Sequence, residues 1–86
     1  MLRFGEKLRF LRNKRQLTLK QLALVLGLNA HGYISEIETG RKKPTVEIVM
    51  KAARYFNVTT DQLLKDELEI TQYEVTEEEA EDDINN

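Results

Sequence analysis

Apolar residues recur at helical spacing through the first three-quarters of the chain. Phe4, Leu8 and Leu11 lie three and four residues apart, which predicts a helix over residues 4–15. Arg3, Lys7, Arg9, Arg12, Lys14 and Arg15 occupy its other faces. Gln16 and Leu17 then lead to Thr18, a residue suited to cap the next helix through its hydroxyl. That second helix runs from Leu19 towards Leu26 on the stripe Leu22, Ala23 and Leu26, and Gly27 can take the left-handed conformation that ends it. A third helix ends at Thr39, before Gly40, with Ile34 and Ile37 on its core face. Arg41-Lys42-Lys43-Pro44 is a loop, because Pro44 breaks a helix and Thr45 can cap the following one. The fourth helix covers Val46 to Phe56, with Val49, Ala52, Ala53 and Phe56 inward. After the turn Asn57-Val58-Thr59, the pair Thr59 and Gln62 has capping-box spacing for a last helix through Leu63 and Leu64. No strand pattern occurs in residues 1–68, so the expected fold is all-α, with five short helices.

Composition narrows the function. The 86 residues suffice for one small domain with a modest core. Without cysteine there can be no disulfide, thiolate metal site or thiol catalysis. No apolar run approaches the length of a membrane span, and no apolar block follows Met1, so a cytoplasmic protein is expected. The net charge of −2 conceals a division. Residues 1–68 carry all 13 basic residues against 7 acidic ones, whereas residues 69–86 hold 8 acids and no base. A body of net charge +6 suggests a polyanionic partner, although the same residues could simply solvate helix faces. Two segments are therefore expected: a folded domain over 1–67 and an acidic extension over 68–86. Leu68, Ile70, Tyr73 and Val75 allow one more ordered element, either a β-arm or a helix. Beyond Thr76 the density of like charge predicts disorder.

Three features coincide in residues 18–40: a capped short helix with a small residue, Ala23; a glycine four residues on, Gly27; and a second helix anchored by Ile34 and Ile37. The small residue lets two helices cross closely, and the glycine makes a tight turn between them. This is the logic of a helix-turn-helix, whose second helix enters the DNA major groove. Leu17-Thr18-Leu19-Lys20-Gln21-Leu22-Ala23, then Leu26-Gly27-Leu28, then Tyr33 to Thr45 resemble the XRE/Cro–C1 family of phage and bacterial repressors. The resemblance extends over residues 4–65, with Leu8 to Arg12 before the motif and Asn57 to Leu64 after it. It implies a core of Leu8, Leu11, Leu17, Leu22, Ala23, Leu26, Ile34, Ile37, Val49, Ala53, Phe56, Val58 and Leu63. It also implies an ion pair between Arg12 and Glu38. Phosphate contacts would come from Thr18, Lys20 and Gln21 at the start of helix two, and from Arg41, Lys42 and Lys43 after helix three.

The base-reading positions depart from the family. Its turn glycine and first recognition-helix isoleucine are six residues apart, whereas Gly27 and Ile34 are seven apart. Helix three then starts late, near Gly32 or Tyr33, or the turn is longer. The resemblance assigns base reading to His31, Gly32, Tyr33 and Glu36, while Asn29 either reads a base or caps the helix. Tyr33 offers a hydroxyl or an apolar edge, and Glu36 can accept from cytosine N4. His31, the only histidine, has no companion ligands at metal-binding spacing, and Ser35 has no neighbouring base to activate it. No enzyme activity, metal or cofactor is expected. The expected function is a sequence-specific regulator of double-stranded DNA acting as a homodimeric repressor, with Leu64, Leu68, Ile70, Tyr73 and Val75 as the dimer surface. The alternative is an antitoxin or adaptor whose acidic tail binds a protein partner or competes for the domain's own basic surface.

Overall fold

The computed structural model describes residues 1–70. Five helices follow one another: α1 Phe4–Lys14, α2 Leu19–Val25, α3 His31–Glu38, α4 Val46–Phe56 and α5 Thr60–Leu64. Three of them start with the same device. Thr18, Thr45 and Thr59 are extended, and each hydroxyl accepts from the backbone N–H three residues on, at Gln21, Ile48 and Gln62. Gln21 and Gln62 complete capping boxes by accepting from the threonine N–H at 2.8 and 2.9 Å.

The ends of α1 to α4 also share a design. Each is followed by one left-handed residue: Gln16, Gly27, Gly40 and Asn57, with φ of 56°, 73°, 82° and 57°. The next N–H reaches back five residues in every case, Leu17 to Arg12, Leu28 to Ala23, Arg41 to Glu36 and Val58 to Ala53, at 2.8–3.0 Å. Terminal carbonyls are thereby satisfied and the chain reverses sharply. Glycine does this without strain at two of the four positions.

The apolar stripes meet in one core: Phe4, Leu8 and Leu11 of α1, Leu22, Ala23 and Leu26 near α2, Ile34 and Ile37 of α3, and Ile48, Val49, Ala52, Ala53 and Phe56 of α4. Val58 and Leu63 complete the expected set, except that Leu17 is only partly buried at the margin. Ile70 is buried in this core as well, so the packed body extends beyond residue 67. Gly5 sets how closely α1 and α3 approach. A Cβ there would lie 2.3 Å from the carbonyl oxygen of Ile37 and 2.6 Å from that of Glu38.

Lys7, which the apolar pattern leaves off the core stripe of the first helix, is not a solvated surface lysine. Lys7 is 2% exposed, and its Nζ donates to the carbonyls of Gln62 at 2.5 Å and Lys65 at 2.7 Å. It closes the end of α5, where carbonyls lack helical partners and a positive charge is favoured. Burial, then the nearby Arg3, holds its pKa below the usual lysine value. Asp66, next in the chain to Lys65, caps the start of α1. Its carboxylate accepts from the N–H groups of Leu2 at 3.0 Å and Arg3 at 2.9 Å, while the N-cap residue Arg3 supplies no side-chain cap. The Arg3 N–H is the main reason its pKa lies below the ordinary aspartate range. The Arg3 guanidinium donates to the Asp66 carbonyl at 2.7 Å and to Glu69 at 3.0 Å. These bonds fasten residues 66–69 to the start of α1.

Candidate nucleic-acid interface

α3 packs on α2 and on α1. Ala23 is the small residue at the first crossing and is 3% exposed. Gly27, at φ 73°, turns the chain between the two helices, and the partly buried Leu28 closes the turn against the core. On the other side, Arg12 and Glu38 join α1 to the end of α3. Arg12 Nε donates to Glu38 Oε2 at 2.7 Å and Nη2 to Oε1 at 3.1 Å, while Nη1 reaches the Leu17 carbonyl at 2.9 Å. The Glu38 side chain is 5% exposed. A shielded two-bond pair of this kind sets the orientation of α3 more than it adds to stability.

With Ile34 and Ile37 inward, helical periodicity places Gly32, Ser35, Glu36 and Thr39 on the opposite side of α3. Gly32 and Thr39 are exposed, and Ser35 and Glu36 are partly so. Thr39 Oγ1 donates to the carbonyls of Ser35 and Glu36, at 3.0 and 3.2 Å. The basic loop is fastened to the same turn: the N–H groups of Arg41 and Lys42 both donate to the Glu36 carbonyl, at 2.8 and 3.2 Å. Lys42 Nζ also lies 3.8 Å from Glu36 Oε1 and 5.5 Å from the centre of the Tyr33 ring. The helix and the loop after it thus form one surface.

Among the base-reading candidates, Asn29, His31 and Gly32 are exposed, and Tyr33 and Glu36 are partly buried. α3 does not start late. It begins at His31, which places Gly32 inside its first turn. Its N-cap is Ala30, with no side-chain bond, so Asn29 does not cap it. Ser35 and Thr39 share the outward face and were missed, although the phase set by Ile34 and Ile37 already implied their position. The phosphate-contact candidates Thr18, Lys20, Gln21, Arg41, Lys42 and Lys43 are all exposed. Thr18 and Gln21 are also engaged in the capping box of α2, and Lys42 leans back on α3. Of the dimer-surface candidates, Leu64 is partly buried against the core, Leu68 is exposed and Ile70 is consumed by the monomer's own core. Tyr73, Val75 and the acidic segment after them lie outside the described residues.

The helix-turn-helix family model matches residues 8–63. The chain belongs to the XRE-type helix-turn-helix family. It is thereby grouped with DNA-binding transcription regulators. Among solved structures it is similar to the N-terminal DNA binding domain of SinR from Bacillus subtilis, with a TM-score of 0.70 and 24% identity over 80% of this chain and 100% of that one. It is also similar to the restriction-modification controller protein C.AhdI from Aeromonas hydrophila. That likeness has a TM-score of 0.64 and 27% identity over 73% of this chain and 94% of the other. No curated protein sequence matches it. Among the described residues, no helix is long and apolar enough to cross a membrane, and no three His, Asp or Glu residues gather as a metal site would require.

Proposed function

We propose that this helix-turn-helix protein is a sequence-specific repressor that binds double-stranded DNA as a homodimer in the cytoplasm. One observation carries the reading. The face of α3 turned away from the core is continuous with the exposed basic loop Arg41-Lys42-Lys43, which is hydrogen-bonded to that helix. α3 enters the major groove, where His31, Gly32, Tyr33 and Glu36 face base edges, Ser35 and Thr39 lie beside them, and Asn29 stands at the rim. Arg41 and Lys43 contact phosphate, as does Lys20 together with the unpaired N–H groups at the start of α2.

A single helix of this length reads too few base pairs for useful specificity, which favours a two-fold assembly. An apolar groove lined by Met1, Pro44, Val46, Val49, Met50, Thr60 and Leu64 supports one. Val46 and Met50 project from it with 77% and 51% exposure, which makes this α4–α5 face a better candidate than Ile70.

The test is selection from random duplex DNA with the full-length protein. An enriched palindrome is expected, with half-sites spaced by about one helical turn or a multiple of it. Salt-sensitive binding with no enriched sequence would overturn the repressor reading and favour the adaptor with a tail-bound partner. Sedimentation should show a dimer that Val46→Glu converts to a monomer.

A further inference from the structure

Gly32 and Glu36 sit one turn apart on the outward face of α3, and neither belongs to the core. A Cβ at Gly32 would meet nothing within 4 Å, and its φ is not in the left-handed region. Glycine inside a helix is unfavourable by up to about 1 kcal/mol relative to alanine. Neither steric need nor backbone geometry in the folded chain accounts for it. Glu36 is unexpected on a surface meant for a polyanion, because a carboxylate repels phosphate.

Both choices make sense if a base edge approaches the helix at this point. We infer that Glu36 is a specificity-determining residue that accepts a hydrogen bond from the exocyclic amine of a cytosine, with Gly32 as the notch that admits the base pair and Lys42 as the residue that positions the carboxylate. The inference rests on the DNA-binding reading above and adds the identity of one base. Cytosine N4 is the amine that a carboxylate reads in the major groove. The absence of a side chain at Gly32 lets the helix axis lie closer to the groove floor, within reach of Glu36 four residues on. Lys42 is held by two means, its backbone N–H on the Glu36 carbonyl and its Nζ 3.8 Å from the Glu36 carboxylate, over the Tyr33 ring. Its charge offsets the repulsion between Glu36 and nearby phosphates, and the contact limits the rotamers open to that side chain.

The experiment compares sequence selection by the wild-type protein with selection by Glu36→Gln. The wild-type motif should contain a cytosine that Glu36→Gln no longer selects, with adenine favoured there because glutamine pairs with adenine N6 and N7. The other positions should be unchanged. Discrimination at that base pair should fall by roughly tenfold. Gly32→Ala should raise the melting temperature while weakening binding to the selected site, which separates a DNA-facing role from a folding defect. Lys42→Gln should weaken binding to the cytosine site more than to the same site with that pair replaced, whereas a phosphate contact would weaken both alike. An unchanged motif for Glu36→Gln, undiminished binding by Gly32→Ala, or equal losses for Lys42→Gln would each overturn the inference. Failure of the wild-type protein to enrich any sequence would instead overturn the DNA-reading function itself.

Discussion

Replacing Gly5 by alanine adds one methyl group where the backbones of α1 and α3 approach each other. The new Cβ would lie 2.3 Å from the Ile37 carbonyl oxygen and 2.6 Å from that of Glu38. Both neighbours are main chain, so no rotamer change relieves the overlap, and α1 must move away from α3 by about 1 Å to restore ordinary contact. Overpacking of this kind costs about 1–3 kcal/mol, and the backbone contact argues for the upper end. Alanine's better helix propensity returns about 1 kcal/mol. Separation of the helices also stretches the Arg12–Glu38 pair, whose bonds are 2.7 and 3.1 Å long. The expected net loss is about 2 kcal/mol, or roughly 8–16 °C in Tm for a domain of this size. Thermal and urea unfolding followed by circular dichroism measure it directly. Gly32→Ala is the matched control, since its Cβ meets nothing, and its Tm should rise. A Gly5→Ala protein as stable as the wild type would refute the close crossing of α1 and α3 and the placement of the recognition helix that depends on it.

Three further outcomes are expected. Glu38→Gln leaves the Arg12 guanidinium without its charged partner and should lose about 3 kcal/mol in urea unfolding, while replacing Arg12 and Glu38 together by Met and Leu should cost less than the single change. Lys7→Met takes the ammonium from the Gln62 carbonyl and leaves the Lys65 carbonyl only the Leu68 N–H, and should lose about 1–3 kcal/mol, with faster hydrogen exchange at the end of α5 than in α2. The acid limb reports on Asp66 and Glu69, whose pKa values are depressed in the folded state, chiefly by the Arg3 N–H and the Arg3 side chain respectively. A depressed carboxylate contributes stability above its unfolded pKa, and this is lost as pH falls through the folded value. Wild-type stability should therefore decline below about pH 4, and Asp66→Asn should flatten that decline in a pH series of unfolding curves.

Much of this structure is local, and what is local was legible in the residues. The three threonine caps, the left-handed turn at Gly27 and the stripes of α1, α2 and α4 depend on neighbours within four or five positions, so spacing alone marks them. The helix-turn-helix could be recognised for the same reason, since Ala23, Gly27, Ile34 and Ile37 act through one short stretch. What stayed hidden involves partners far apart in the chain. Lys7 looks like any solvated lysine until α5 brings the carbonyls of Gln62 and Lys65 to it. Gly5 looks incidental until α3 lies against it. Asp66 looks like one more surface acid at the end of the domain, yet its carboxylate caps the start of α1. Ile70 reads as spare apolar surface, but the bonds from Arg3 draw its segment onto the core. The start of α3 was open because one added residue could either delay the helix to Gly32 or Tyr33 or lengthen the turn, whereas the helix begins at His31. Backbone preference and periodicity are short-range and are written into adjacent residues. Burial of a charge, the closest approach of two helices and the use of one apolar side chain rather than another are set when distant segments compete for the same space.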